Sequence, residues 1–247
     1  MALCEVKFYS QSIQKQDTMN VVIPDGRGPF PVVYLLHGMS DDYSIWLRRT
    51  SIERYAEKYK LMVVMPDTHR FFYVNDPRPG GLAYEDHIIK DVLGHTDRLF
   101  PTIRARRGRS VAGLSMGGYG AMMLAMKNTD KFCAGVSHSG AMHFAHGRLP
   151  VAGRPAINSL SDALPRRKYD VFALARRLKR GRRKLAIRFD CGVDDFLIEP
   201  NRAFHKHLDK IGLDHQYAEH PGEHTWDYWD LHIQESLRFI WRNIAKK

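Results

Sequence analysis

Cysteine is scarce in this chain, and what there is lacks pattern. Cys4, Cys133 and Cys191 are odd in number and unrelated in position. That excludes a disulfide framework and any cysteine-based zinc spacing, and it fits free thiols in a reducing compartment. Long apolar runs are missing too: no stretch has the roughly 20 apolar residues of a membrane span. The first residues, Met1-Ala2-Leu3-Cys4-Glu5-Val6-Lys7, show no basic region followed by an apolar one, so no secretory signal is read there. Cytoplasm is the expected compartment. Internal repeats and interdomain linkers are likewise absent from the pattern. Acidic residues are the minority charge, 27 against 38 lysines and arginines, for a net +11. The excess is local: Arg166 to Lys184 carries +9 of it. This is one basic patch, not a basic composition throughout, and no recognisable nucleic-acid module accompanies it. The patch is expected to be a solvated basic helix beside the mouth of the site, with steering of anionic substrates as the alternative.

What is present has the length and composition of one large α/β domain spanning 1–247. Leu3 to Tyr9 and Met19 to Ile23 read as antiparallel edge strands. Pro31 to Leu36 reads as a strand buried on both faces and Leu61 to Met65 as the next buried strand; Phe132 to Ser139 and Leu185 to Asp190 read as further strands, and Gln216 to Glu219 as a last short one. Helical patterns lie over Ile52 to Tyr59, Glu85 to Phe100, Tyr119 to Lys127, Val171 to Lys179, Asn201 to Ile211 and Trp226 to Asn243. This alternation predicts a mostly parallel sheet covered by helices on both faces. Residues 141–184 read as a partly irregular basic insertion ahead of the strand that leads to the acid.

The centre of the pattern is Gly113-Leu114-Ser115-Met116-Gly117-Gly118, between an apolar run and a small-residue helix. In that setting G-x-S-x-G means a sharp strand-to-helix turn that presents a nucleophilic serine. A serine hydroxyl needs a base, and the base needs an orienting group. In open α/β sheets such residues gather at the C-terminal ends of strands. His224, in the turn after the last strand, is the expected base, with His220 as its nearest rival. Asp190, Asp194 and Asp195 all lie near the end of the strand that starts at Leu185, and spacing does not separate Asp194 from Asp195. The order Ser…Asp…His is that of an α/β-hydrolase. Backbone N–H groups of Met116 and Met39 are the expected donors to an oxyanion.

Four motifs together carry a family resemblance: Leu35-Leu36-His37-Gly38-Met39, Gly113 to Ala121, Cys191-Gly192-Val193-Asp194-Asp195-Phe196-Leu197, and His224-Thr225-Trp226-Asp227-Tyr228-Trp229. They resemble the esterase-D-related α/β-hydrolases, bacterial tributyrin-type esterases above all, over nearly the whole chain. The resemblance implies Asp195 as the acid, because that family places it directly before a Phe-Leu pair. It implies Ser115 and His224 as its partners, and Met39 and Met116 as oxyanion donors. The usual glycine before the histidine is Glu223 here, which puts a carboxylate near the site. The implied activity is a serine carboxylesterase acting on short acyl or small aromatic acyl esters through an acyl-enzyme. An S-formylglutathione-type thioesterase and acyl transfer to a sugar or lipid are the alternatives. Phe71, Phe72 and Trp226, with Tyr34 and Tyr73, are candidates to line the acyl pocket. No organic cofactor is expected, and no metal at His143 and His146. The expected partner is a small ester and not nucleic acid; a homo-oligomer remains open.

Overall fold

The computed structural model describes residues 1–146 and 155–244. Eight strands form one sheet: β1 (Ala2–Ser10), β2 (Lys15–Ile23), β3 (Val32–Leu36), β4 (Met62–Pro66), β5 (Arg109–Leu114), β6 (Ala134–His138), β7 (Ala186–Gly192) and β8 (Gln216–His220). Their order across the sheet is β1-β2-β4-β3-β5-β6-β7-β8. Strand β2 pairs antiparallel with both β1 and β4, and every later pairing is parallel. This is the expected α/β-hydrolase architecture.

The helices described are α1 (Ile45–Arg49), α2 (Ile52–Glu57), α3 (Tyr84–Asp86), α4 (Leu93–Leu99), α5 (Met116–Lys127), α6 (Pro155–Ala163), α7 (Arg166–Tyr169), α8 (Val171–Arg180), α9 (Ile198–Lys210) and α10 (Trp226–Ile244). The two-residue side-chain period of a strand divides them between two faces. On β3, Val32, Tyr34 and Leu36 turn to a core shared with α5 and α8. Val33 and Leu35 turn to a second core with Trp46, Ile52, Ile233 and Leu237 of α1, α2 and α10. Both sets are fully buried, which is why β3 reads as a continuous apolar run rather than an alternating one.

Three local expectations are revised. The helix expected over Glu85 to Phe100 is interrupted: a π-helical turn, His87–Val92, separates α3 from α4. It holds His87 and Asp91 against the end of the β1–β2 hairpin, where Asp91 accepts from the Ser10 hydroxyl and the Ser12 N–H, and a wider turn serves such a contact. Helix α9 begins three residues before the expected Asn201 and carries Pro200 in its first turn, where a missing N–H costs no helical hydrogen bond. The stretch expected to be irregular contains α6 and α7, while 147–154 of it lies outside the described residues. Among the described residues no helix is long and apolar enough to cross a membrane.

Candidate active site

Ser115 stands between β5 and α5 with φ 53° and ψ −116°, a backbone region costly for any residue with a Cβ. Two close approaches hold it there. A Cβ on Gly113 would lie 2.5 Å from the Gly117 carbonyl oxygen, and one on Gly117 would lie 2.5 Å from that of Leu36. Only glycine at both positions lets the turn close against β3. The Ser115 N–H donates to the His138 carbonyl at 2.9 Å, so the strained residue is tied to the end of β6.

The expected base and acid meet this serine. His224 Nε2 lies 3.0 Å from Ser115 Oγ, and His224 Nδ1 lies 2.8 Å from Asp195 Oδ2. The other oxygen of Asp195 accepts the Leu197 N–H at 2.8 Å. Asp195 is buried. Burial alone would raise its pKa, but the hydrogen bond and charge of His224, with further hydrogen bonds from Ser139 and the Leu197 N–H, hold it below the ordinary carboxylate range. The carboxylate is thus kept ionised beside the ring. The Trp229 ring meets the His224 ring edge-on at 4.8 Å, and its indole N–H donates to Ser139 Oγ at 3.2 Å.

The rival acids have other surroundings. Asp194 is exposed and its N–H donates to the Gly222 carbonyl. Asp190 is fully buried, where it accepts from His138 Nδ1 at 2.9 Å and from the Tyr228 hydroxyl at 3.2 Å. Burial tends to raise its pKa, and His138 and Arg188 outweigh that and lower it. The rival base, His220, stacks on His232 with ring centres 4.1 Å apart. His146 Nδ1 lies 3.0 Å from Asp170, and burial lowers the pKa of His143 to about 4.

Among the described residues neither Met39 nor Met116 donates its N–H to any protein acceptor. The loop that carries Met39 is fixed from both sides. His37 Nδ1 donates to the Gly38 carbonyl, His37 Nε2 accepts the Thr68 N–H, and the Tyr73 hydroxyl donates to the His37 carbonyl. A cleft of about 490 Å³ runs beside it, lined by Met39, Ser40, Asp41, His69, Arg70 and Phe71.

The aromatic candidates separate. Phe71 borders this cleft and stacks on Tyr84. Phe72 is corrected to a core residue: it is 3% exposed and stacks on Phe144 with centres 3.7 Å apart. Tyr34 and Tyr73 are also fully buried. Trp226 is half-buried, wedged edge-on between Trp46 and Trp229. A residue not foreseen at the site is Phe196, 73% exposed and packed against the His224 ring at 4.5 Å. A phenylalanine directly after the acid, outside any apolar period, was the available signal.

The basic patch is also relocated. Lys179, Arg182, Arg183 and Lys184 line a hollow with Leu185 and Ala186 at the N-terminal end of β7, beside Arg106 and Cys133, and Arg177 lines an adjoining one with Arg182 and Arg183. Ser115 lies beyond the C-terminal end of β5, which runs parallel to it through β6. That part of the patch therefore lies at the opposite rim of the sheet and does not border the approach to the serine.

A sequence-family model described as "Putative esterase" matches residues 10–240. An acetyl esterase of Caldicellulosiruptor saccharolyticus is 27% identical over 97% of this chain and 98% of its own length. Among solved structures, the substrate-bound fluorophosphonate-binding serine hydrolase FphF of Staphylococcus aureus is 28% identical. It superposes with a TM-score of 0.85 over 97% of this chain and 98% of its own. An S-formylglutathione hydrolase of the same organism is 27% identical, with a TM-score of 0.84 and the same coverage. The chain thus belongs to this esterase family, and it is an ester-hydrolysing serine hydrolase of the α/β-hydrolase fold.

Proposed function

We propose that the chain, acting as one hydrolase domain over 1–247, is a carboxylesterase for short acyl or small aromatic acyl esters, with Ser115, His224 and Asp195 as its triad. The observation that carries this reading is the continuous run of two hydrogen bonds, 3.0 Å and 2.8 Å, from Ser115 through His224 to Asp195. Ser115 Oγ attacks the ester carbonyl as His224 Nε2 takes its proton. The imidazolium so formed is stabilised by Asp195, which also holds the tautomer that keeps Nε2 free. The Met39 and Met116 N–H groups receive the developing oxyanion, at the N-terminus of α5 where the helix dipole favours negative charge. His224 then returns the proton to the departing alcohol. Water, deprotonated by the same ring, releases the acid from Ser115 and restores the hydroxyl.

Phe71 on the cleft side and Phe196 on the histidine side would flank the acyl group. An acetyl esterase among the relatives favours a short acyl chain. A similar S-formylglutathione hydrolase favours a second reading, thioester cleavage with the same residues. The deciding experiment measures kcat/KM for p-nitrophenyl esters from acetate to octanoate beside S-formylglutathione. A maximum among the short esters, well above the thioester, is expected. A thioester rate that exceeds every ester by tenfold or more would transfer the assignment to the second reading.

A further inference from the structure

We infer that His205, Asp209 and His215 form a binding site for a divalent transition-metal ion, Zn²⁺ by preference, at the edge of the sheet away from Ser115. One ligand atom from each residue lies within 4.8 Å of the others. His205 and Asp209 are one turn apart on α9, so both project from the same side of it. The chain then ends the helix at Gly212, whose N–H donates to the Asp209 carbonyl, and brings His215 back over that side. His205 Nε2 lies 3.4 Å and His215 Nε2 3.8 Å from the carboxylate oxygens of Asp209. Ligand atoms about 2.0–2.1 Å from a tetrahedral ion stand slightly closer than this, so a side-chain adjustment that also turns His215 Nε2 from His205 Nδ1 to the ion completes the site.

The hydrogen-bond pattern points to a cation. His215 Nδ1 donates to the Leu213 carbonyl at 2.8 Å. That backbone contact fixes the tautomer and leaves Nε2 as a lone pair, the usual arrangement behind a metal-bound histidine. The same Nε2 is 2.8 Å from His205 Nδ1. If His205 donates there as a neutral ring, its Nε2 lone pair faces the Asp209 carboxylate, and two acceptors oppose each other. A metal ion held between His205 Nε2 and the Asp209 carboxylate, with His215 Nε2 turned towards it, relieves this. Two imidazoles and a carboxylate match the ligands zinc takes, and leave a fourth position for water. The site opens onto a depression that Asp214 and Tyr217 also line. His205 is held flat against the Tyr217 ring at 4.5 Å, and His215 against Phe189 at 5.6 Å.

A second cluster, His220, His232 and Glu235, also brings three ligand types together. There the Arg188 guanidinium already occupies Glu235 at 2.6 Å, and its positive charge opposes a metal cation. Among the described residues no lysine or arginine pairs with Asp209; Arg188 lines the same depression, but its guanidinium pairs with Glu235 and Asp190. A metal there would join the end of α9 to the residue that enters β8, the strand whose far end leads to His224.

The test uses the full chain, stripped with a chelator and titrated with Zn²⁺ by calorimetry at pH 7.5, with Co²⁺ absorption as a spectroscopic check. The expected result is one Zn²⁺ per chain, a Tm raised by the metal, and a tetrahedral Co²⁺ spectrum. Asp209→Asn and His215→Gln should each weaken binding by roughly 100-fold while ester hydrolysis by metal-free protein stays unchanged. Asp209 is exposed, so its variant should fold even if the other does not. Absence of saturable binding, binding that survives both substitutions, or binding lost only in His232→Gln overturns the assignment.

Discussion

Gly192 and Gly222 touch so closely that a Cβ on Gly192 would stand 2.2 Å from the Gly222 carbonyl oxygen. The first residue ends the strand leading to Asp195, and the second lies two residues before His224. Around this contact the Val193 N–H donates to the His220 carbonyl and the Asp194 N–H to that of Gly222. The loops of Asp195 and His224 are thus joined through backbone before the two side chains meet. Gly192→Ala must separate the two loops, and a displacement near 1 Å at a reacting centre costs about 100-fold in rate. We expect kcat to fall by about that factor and the Tm by a few degrees, as overpacking costs roughly 1–3 kcal/mol. A kcat within twofold of the parent would falsify this account of how the loops are aligned.

The proposed roles separate two adjacent carboxylates. Ser115→Ala should lower kcat by roughly a million-fold in a protein that unfolds like the parent. Asp195→Asn should lower it by about 10,000-fold, because the amide no longer holds the tautomer or the imidazolium. Asp194→Asn should change it little, since that side chain is exposed and only its backbone is engaged. Comparable losses in Asp194→Asn and Asp195→Asn would remove Asp195 from its role.

How much of this was legible in the sequence depended on whether local pattern sufficed. The turn at Ser115 was readable because its close backbone approaches demand glycine at fixed offsets. The buried strands were readable because both faces are apolar. His224 followed from its place after the last strand, whereas Asp195 needed the family resemblance, because Asp194 lies equally near the end of β7. Phe72 misled because an aromatic in a loop looks the same whether it faces a cleft or stacks on Phe144. The π-helical turn at His87 depends on contacts with the distant β1–β2 hairpin, which helical periodicity does not encode. The basic run was visible at once, but which rim of the sheet it occupies is a matter of topology. The cluster of His205 and His215 was hidden because its residues straddle the end of a helix, with no regular ligand spacing.

Phe196 offers a test of specificity apart from chemistry. Its ring is exposed and lies against His224, and an aromatic contact of this kind contributes about 0.5–1.5 kcal/mol. Phe196→Ala should raise KM for an aromatic acyl ester by about three- to tenfold and leave kcat for p-nitrophenyl acetate within a factor of two or three. A large loss of kcat on acetate with unchanged KM would show that the ring acts by holding His224 and not by meeting substrate.

The last prediction concerns acid stability and follows from His87. The ring is fully buried, with Nδ1 2.9 Å from Ser10 Oγ and Nε2 3.4 Å from Asp17. Burial lowers its pKa to about 4, against the pull of Asp91 and Asp67; Lys15 lowers it further. An unfolded histidine takes its proton near pH 6.5. Between pH 6.5 and 4 the unfolded chain therefore binds the extra proton and the folded one does not. Stability is full above pH 6.5 and declines as pH falls towards 4, by on the order of 3 kcal/mol from this residue. His143, also lowered to about 4 by burial, acts in the same window with the same sign. Asp17, whose pKa burial raises, acts oppositely, because the folded chain takes up that proton more readily than the unfolded one. Urea unfolding at pH 7.0, 5.5 and 4.5 should show His87→Gln less stable than the parent at neutral pH, where it loses the packed ring. Its stability should nevertheless fall less steeply with acid. Parallel pH profiles for the two proteins would mean that His87 is not the group whose protonation the fold resists.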